Sequence, residues 1–499
     1  MESSSAPASS HRLALFALAF GSGFGVMVLE IAGARVMAPV FGLSAVPWTA
    51  VIGVVLTALS LGNWIGGRLA DAGRVPLAFV LLATAATAVA PLAGSTVPRL
   101  ALQLLGFIPG AVATAVVFFA LPVFGLGMVT PYLVKAETRS VSEVGRRAGE
   151  IGAAATAGSI VGTFGTGFVL LPLMPLPLLL GMTAAGLVGL AGLAGVVLGR
   201  GPAPRDIGVV AIAILLVGAF AVVTPPSVLA DEQTVYTSIV VREGLWTDGK
   251  PVLEMRQSGA SSSVEYVSSG EPAHPYATTS LRWMDELSRE YGPPSRVLVI
   301  GGAALTLPLA IVRRFPDVRV DVVEIDPRAT ELAYEHFAVG RDAAAERIEV
   351  VHMAGRHFLE TTDRSYDLIY IDAFDHLVTV PWTLVTREAF EATADRLRPG
   401  GTIAANVLAP LAGPGDAFLA RILATAESGF SGVRGYRVTP EEELDVVQNV
   451  LLVMAPEPAS LPTPEWSEVA VDARGRPLTD AWAPIDALQA RVFWGGLEW

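Results

Sequence analysis

The stretch Tyr370-Ile371-Asp372-Ala373-Phe374-Asp375-His376 places two carboxylates immediately behind an apolar run. A carboxylate leaving a buried strand can take up a proton from a reacting group or hold a cation, and it can also merely start a turn or cap a helix. Glu324 closes a second apolar run, about 22 residues after the pair Gly301 and Gly302. Glycines behind a strand permit a tight turn and a close approach of ligand to backbone. An acid at the end of the next strand can accept both ribose hydroxyls of an adenosine. The plainer reading of Glu324 is a helix cap shared with Asp326. The chain contains no cysteine, which excludes a thiolate nucleophile, a disulfide and a zinc–sulfur site.

Three further polar residues, Glu30, Arg35 and Asn63, fall in or at the ends of long apolar runs. An ionisable group inside lipid needs a partner or water, so such residues are functional candidates by default. Glu30 and Arg35 are five apart, roughly 140° around a helix, and a direct pair does not follow from the spacing. An interhelical clamp and a substrate or ion pathway remain equally open.

The elements that must position these residues are of two kinds. Apolar runs long enough to cross about 30 Å of hydrocarbon occur near residues 13–34, 46–66, 76–97, 101–133, 149–172, 176–199 and 207–224. They predict seven spans, the first a retained signal anchor behind a short Ser-rich leader with His11 and Arg12. Small residues at four-residue spacing, Gly21 with Gly25 and Gly158 with Gly162, predict close helix packing. From residue 231 the pattern shortens to β-rich stretches, Thr234 to Arg242 and Val252 to Gln257 around the turn signal Asp248-Gly249. After Pro293-Pro294, apolar strands at Arg296 to Ile300, Arg319 to Glu324, Ile348 to His352 and Tyr366 to Ile371 alternate with helices ending near Arg314 and Phe337. Strands of that kind predict a parallel sheet covered on both faces, with ligands beyond the strands' carboxyl ends. The expected organisation is a multi-span α-helical membrane domain at 1–228, a small β-rich part at 229–292 and an α/β Rossmann-like, nucleoside-binding domain at 293–499.

Composition agrees with two environments. Of 499 residues, 52% are hydrophobic, and the mean hydropathy of +0.53 is far above that of a soluble enzyme. Residues 1–230 carry a charge of about +4 and residues 231–499 about −17. An acidic second half argues against nucleic acid and suits cationic small molecules such as polyamines, although excess carboxylates are commonly just a solvated surface. Arg12, Arg68, Arg74, Lys135, Arg139, Arg146, Arg147, Arg200 and Arg205 fall on the N-terminal side of the spans. The positive-inside rule then puts the N-terminus in the cytoplasm of a cell-membrane protein. Seven spans place the second half outside, away from cytosolic metabolites, and a count wrong by one reverses the side. The long run at 101–133, broken by Pro109-Gly110 and Pro122, is the first place to split, although splitting it puts the cluster from Lys135 to Arg147 on the wrong side.

The chain resembles the membrane-embedded spermidine synthase-like family of polyamine aminopropyltransferases over nearly its whole length. In the first half the resemblance rests on Ser22-Gly23-Phe24, Leu29-Glu30-Ile31, Arg35, Phe41-Gly42, Ser60-Leu61-Gly62-Asn63 and Gly66-Gly67-Arg68-Leu69-Ala70-Asp71. In the second it rests on Glu324-Ile325-Asp326, Asp372-Ala373-Phe374-Asp375, Leu384-Val385-Thr386-Arg387-Glu388-Ala389-Phe390, Arg398-Pro399-Gly400-Gly401 and Leu478-Thr479-Asp480 to Ala483-Pro484. It implies a Rossmann-like domain of the S-adenosylmethionine-methyltransferase type. It further implies transfer of an aminopropyl group from decarboxylated S-adenosylmethionine to a diamine such as putrescine, with methylthioadenosine as product. No metal is implied, because the leaving group departs as a neutral thioether. By resemblance Asp372 is the base, Asp375 helps to bind the cationic amine, Tyr276 orients it, and Gly301, Gly302, Glu324 and Gly355 border the nucleoside. Soluble relatives form dimers or tetramers, and a homodimer is the expectation by analogy.

Three departures weaken the implied activity. A Gly-Gly-Gly-Asp-Gly-Gly loop becomes Gly301-Gly302-Ala303-Ala304-Leu305-Thr306, without the carboxylate for the aminopropyl ammonium. Ala354 replaces the aspartate expected before Gly355 and Arg356, and Ala277 and Thr278 replace the residues that accompany the tyrosine. Two other functions therefore stand beside aminopropyl transfer. One is methyl transfer from ordinary S-adenosylmethionine, with Arg356 as the cation for its carboxylate. The other is a sensor or transporter that binds a polyamine or nucleoside without turning it over.

Overall fold

Apolar runs with few charges form helices because a backbone in lipid must satisfy every hydrogen bond within its own segment. In the computed structural model, five helices are long and apolar enough to cross a bilayer: Ser10–Phe41, Ala45–Ala72, Phe107–Glu137, Val141–Leu173 and Leu176–Leu198. The pair Leu77–Leu92 and Thr96–Leu105, bent by 75°, makes a sixth if it counts as one span. The structure describes residues 6–42, 45–94, 96–138, 140–199, 227–373, 381–439, 442–456, 468–469, 471–485 and 488, with single positions 201, 208, 210 and 212. The expected run at 207–224 thus falls almost wholly outside the described residues. The run at 101–133 is not one segment. Gly106, at φ +80°, separates Thr96–Leu105 from Phe107–Ala115. Pro109 lies in the first turn of its helix, where a missing N–H costs nothing, whereas Pro122 lies inside the continuous helix Phe107–Glu137. Between them sits the π-helical turn Val116–Ala120.

The chain divides into two units, Met1–Pro225 and Pro226–Trp499. In the first, close backbone approach holds the long helices together. A Cβ on Gly23 would run into the Ala155 carbonyl, and one on Gly158 into the Phe20 carbonyl, while Gly162 faces Phe24. The expected pair Gly158 and Gly162 is therefore a packing face. Phe20 and Phe24 of the first helix stand opposite it, with Gly23 against Ala155, whereas Gly21 and Gly25 turn toward leucine side chains. At one end, Arg12 and Arg147 each bridge Glu137 and Glu150 at 2.8–3.1 Å, tying together the first helix, the end of Phe107–Glu137 and the start of Val141–Leu173. The three polar candidates differ in setting. Glu30 and Arg35 are half-buried on the first helix, whereas Asn63 is exposed and donates to its own helix at the Leu59 carbonyl, 3.0 Å away. None of them lines the apolar groove between 45–61 and 108–124.

The second unit opens with an antiparallel four-stranded meander, β1 (Val228–Gln233), β2 (Ser238–Leu245), β3 (Pro251–Gln257) and β4 (Ala260–Tyr266). The Asp248-Gly249 turn joins β2 to β3, with Gly249 at φ +79°. The helix Pro275–Tyr291 follows. A seven-stranded sheet is then built from β5 (Arg296–Ile300), β6 (Arg319–Glu324), β7 (Ile348–His352), β8 (Tyr366–Ile371), β9 (Leu397–Ala409), β10 (Gly432–Arg437) and β11 (Gln448–Ala455). Its order is β10-β11-β9-β8-β5-β6-β7. Strands β5 to β9 pair in parallel and β10 and β11 antiparallel. Two apolar cores cover the two faces, one around Trp283, Val299 and Tyr370, the other around Ile300, Ile369 and Phe418. The unit is a Rossmann-like domain of the methyltransferase type. The order in which the strands are added reverses between the parallel neighbours β5 and β8, the place where such sheets open a crevice.

Candidate active site

A cavity of about 310 Å³ lies at the carboxyl ends of β5, β6 and β8, lined by the glycine turn, Glu324, Tyr276, Gly355 and Asp372. Three strand ends are stitched together there. The Gly301 amide donates to the Val323 carbonyl at 2.9 Å and the Asp372 amide to the Ile300 carbonyl at 2.8 Å. Gly301 has φ +97°, and a Cβ on it would run into the Asp372 carbonyl. Only glycine fits.

Glu324 is 5% exposed. Its Oε2 accepts from the amides of Gly302 and Ala303 at 2.9 and 3.0 Å, and its Oε1 from the amide of Asp326 at 2.9 Å. A carboxylate offers about four lone-pair sites, so three backbone amides leave roughly one toward the cavity. Glu324 therefore shapes the glycine turn as well as bordering the cavity. The turn is bent hard around it: Ala303 and Leu305 lie at φ +43° and +57°, a region side chains avoid. The Ala304 amide is taken by the Ser263 hydroxyl of β4 at 3.2 Å. Asp326 is a helix cap, accepting from the Arg328 amide at 3.0 Å, while its other oxygen takes the Thr234 hydroxyl at 2.5 Å.

Gly355 begins the helix Gly355–Thr361 and packs on Ile300, where a Cβ would stand 2.5 Å from the Ile300 side chain. Arg356 is committed to Glu360 at 2.6 Å and Asp480 at 3.1 Å. The cation weighed for a methyl donor's carboxylate thus already has two carboxylate partners.

Asp372 follows β8. Its Oδ1 accepts from Asn406 Nδ2 at 3.1 Å, and Asn406 Oδ1 accepts from Asn449 Nδ2 at 2.9 Å. Burial pushes the Asp372 carboxyl up to about 6, against the opposing pull of the Asn406 hydrogen bond. Tyr276 is 5% exposed, and its hydroxyl has no hydrogen-bond partner among the described residues. Its ring lies 5.8 Å from that of Tyr370, whose hydroxyl bonds Ser280. Burial, then the neighbouring Tyr370 and Asp372, raise the Tyr276 phenol well above its ordinary value. His274 caps the tyrosine's helix, its Nδ1 accepting from the Tyr276 amide at 3.3 Å, and burial holds its imidazole below the usual value. Asp375 lies outside the described residues, which end at 373 and resume at 381.

The structure thus brings Gly301, Gly302, Glu324, Gly355, Tyr276 and Asp372 to one cavity. Sequence reasoning missed Ser263, His274, Asn406 and Asn449. Single polar residues in apolar strands, as in Ala405-Asn406-Val407 and Asn449-Val450-Leu451, were the available signal.

Residues 287–411 match the family model of the spermine/spermidine synthase domain. Over 124 residues the chain is 33% identical to Polyamine aminopropyltransferase 2 of Hyperthermus butylicus, covering 24% of this chain and 41% of that protein. Over 149 residues it is 33% identical to Polyamine aminopropyltransferase 2 of Pseudomonas aeruginosa, covering 29% and 42%. The chain therefore spans less than half the length of these relatives. The crystal structure of a probable spermidine synthase from Corynebacterium glutamicum superposes with a TM-score of 0.42 at 18% identity, over 52% of this chain and 99% of that one. Residues 287–411 are thus similar to the spermine/spermidine synthase domain and to polyamine aminopropyltransferases.

Proposed function

We propose that the second unit transfers an aminopropyl group from decarboxylated S-adenosylmethionine to a diamine such as putrescine, and that the first unit holds it in the cell membrane. The observation that carries this reading is Asp372, a carboxylate raised to about 6 by burial and facing the same cavity as the glycine turn and Glu324. An amine with a pKa near 10 is protonated at neutral pH and cannot attack. A base poised near 6 to 7 relieves it of a proton. The amine nitrogen then bonds to the carbon beside the sulfonium, the carbon–sulfur bond breaks, and methylthioadenosine leaves as a neutral thioether. In this reading Tyr276, which lines the cavity with Asp372, orients the amine, and Glu324 with Gly355 borders the nucleoside. Asp375 joins the amine site in this reading.

A second reading, methyl transfer from ordinary S-adenosylmethionine, is favoured by one observation. Ala303 and Ala304 present no carboxylate to an aminopropyl ammonium. The full-length protein in detergent, incubated with putrescine and each labelled donor in turn, separates the two. Methylthioadenosine release from the decarboxylated donor supports the first, and S-adenosylhomocysteine release from the ordinary donor the second. Binding without release of either supports a sensor or transporter.

Membrane placement in this reading is supported by the length and apolar composition of five or six helices, and the N-terminus is assigned to the cytoplasm by the positive-inside rule. Because the chain lacks cysteine, a single Ser142→Cys variant tests this cleanly. It should react with an impermeant thiol reagent only after the cytoplasmic face is opened.

A further inference from the structure

We propose that Asn406 and Asn449 are positioning residues that hold Asp372 in its proton-accepting form and direct the incoming proton to Oδ2; this rests on the transferase reading for its catalytic meaning. Asn406 is 6% exposed on β9. Asn449 stands on β11, in register with Leu408, so the two amides meet across paired strands. Both line the cavity beside Asp372.

A carboxamide has one donating end and one accepting end. Asn449 donates to Asn406 Oδ1, which leaves Asn406 only its NH2 to turn toward Asp372. That NH2 suits an oxygen carrying negative charge, because a hydrogen bond to an ionised acceptor is the stronger one. A proton on Oδ1 would face the N–H head on. The open place is Oδ2, to which no described residue donates. Asn449 never touches the carboxylate, yet its orientation fixes the polarity of the whole row.

Among the described residues no neighbouring charge does this work instead. Tyr276, from the helix Pro275–Tyr291, and Tyr370, from β8, are held protonated by burial. His274, across the same cavity, is pushed toward its neutral form by burial. Glu324 and Asp326 are acidic, and Arg356 is bound to Glu360 and Asp480.

The test is a carbon-13 NMR titration of the full-length protein labelled at its aspartate carboxyl carbons, with the Asp372 signal assigned by its loss in Asp372→Asn. Asp372 should titrate near 6 in the wild type. In Asn406→Leu and Asn449→Leu its midpoint should rise by about one pH unit. Asn449→Asp should raise it further, because an accepting carboxylate turns the Asn406 amide around. Asn449→Ser, which keeps a donor, should stay close to wild type. It also decides the matter together with Asn449→Asp if the leucine variant does not fold. In the rate profile the acid limb should move with the titration, lowering kcat at pH 6 about fivefold to tenfold at unchanged KM. A midpoint that stays at the wild-type pH in Asn449→Leu and Asn449→Asp overturns the proposal. Shifted midpoints without turnover in any variant leave the positioning role standing and remove the transferase reading.

Discussion

Glu324 and Asp372 end the two strands that flank β5, on one cavity and in one sheet, and the structure treats them in opposite ways. Glu324 takes three backbone amides on its two oxygens. Asp372 takes a single side-chain amide on one oxygen, and burial drives its carboxyl up to about 6. The number of donors separates the roles. A carboxylate wrapped in N–H groups organises the chain around it. One that is desolvated and nearly bare is poised to take a proton.

The largest effect expected from breaking this contrast is on turnover. Asp372→Asn keeps the shape and the Asn406 contact but cannot accept a proton, so kcat should fall by about 10²- to 10⁴-fold. Calorimetric binding of methylthioadenosine should survive. Loss of binding with it would show that Asp372 shapes the nucleoside site instead.

Glu324→Gln acts in the reverse sense. It turns charge-assisted bonds from Gly302, Ala303 and Asp326 into neutral ones and points an NH2 at one set of amides. With charged hydrogen bonds contributing about 1.5–3 kcal/mol each, methylthioadenosine affinity should fall by about 100-fold. The unfolding midpoint in denaturant should drop as well. Unchanged stability with lost binding would mean that the three amides do not depend on the carboxylate.

The pH dependence sharpens the comparison, since rate and stability should move oppositely through Asp372. The rate needs the ionised form, so it should climb about tenfold per pH unit toward 6 and level off above. For stability the carboxyl is raised from 3.8 to about 6 in the folded chain. The unfolded chain therefore loses its proton first as pH rises. The contribution is fully present below 3.8 and is lost by about pH 6, amounting to no more than about 3 kcal/mol. Asp372→Asn should thus be more heat-stable than wild type at pH 7.5 and equal to it near pH 4. A wild-type advantage at pH 7.5 would count against a desolvated Asp372.

How much of this was legible in the chain depends on whether the controlling interactions are local. The bounds of β5 to β8 could be read directly, because fully apolar strands between helices announce themselves, and Gly301, Glu324 and Asp372 follow from their ends. The helix Pro275–Tyr291 was not read, since Pro275 suggests a break as readily as a first helical turn. The Asn406–Asn449 contact spans 43 residues and depends on the register of β9 with β11, which spacing alone does not reveal. Nor does spacing show that the glycine turn folds back onto Glu324. In the helical unit, apolar length announced the long helices, but Gly106 rather than Pro109 broke the run at 101–133, because a helix tolerates proline in its first turn.

The smallest effect tests whether Glu324 is what holds the turn in its strained shape. Ala303 sits at φ +43°, a conformation costing a residue with a Cβ about 1–2 kcal/mol. Glycine would remove that cost but adds about 0.4–1 kcal/mol of freedom to the unfolded chain, so Ala303→Gly should stabilise by about 0.5–1 kcal/mol, measurable by chemical denaturation. Combined with Glu324→Gln, the gain should grow. A turn that no longer needs three charge-assisted bonds to hold a left-handed alanine loses less when they weaken, and the two substitutions should couple by about 0.5 kcal/mol or more. Strict additivity would mean that the turn keeps its shape without the carboxylate. Glu324 would then be, like Asp372, a residue placed for the ligand instead of for the fold.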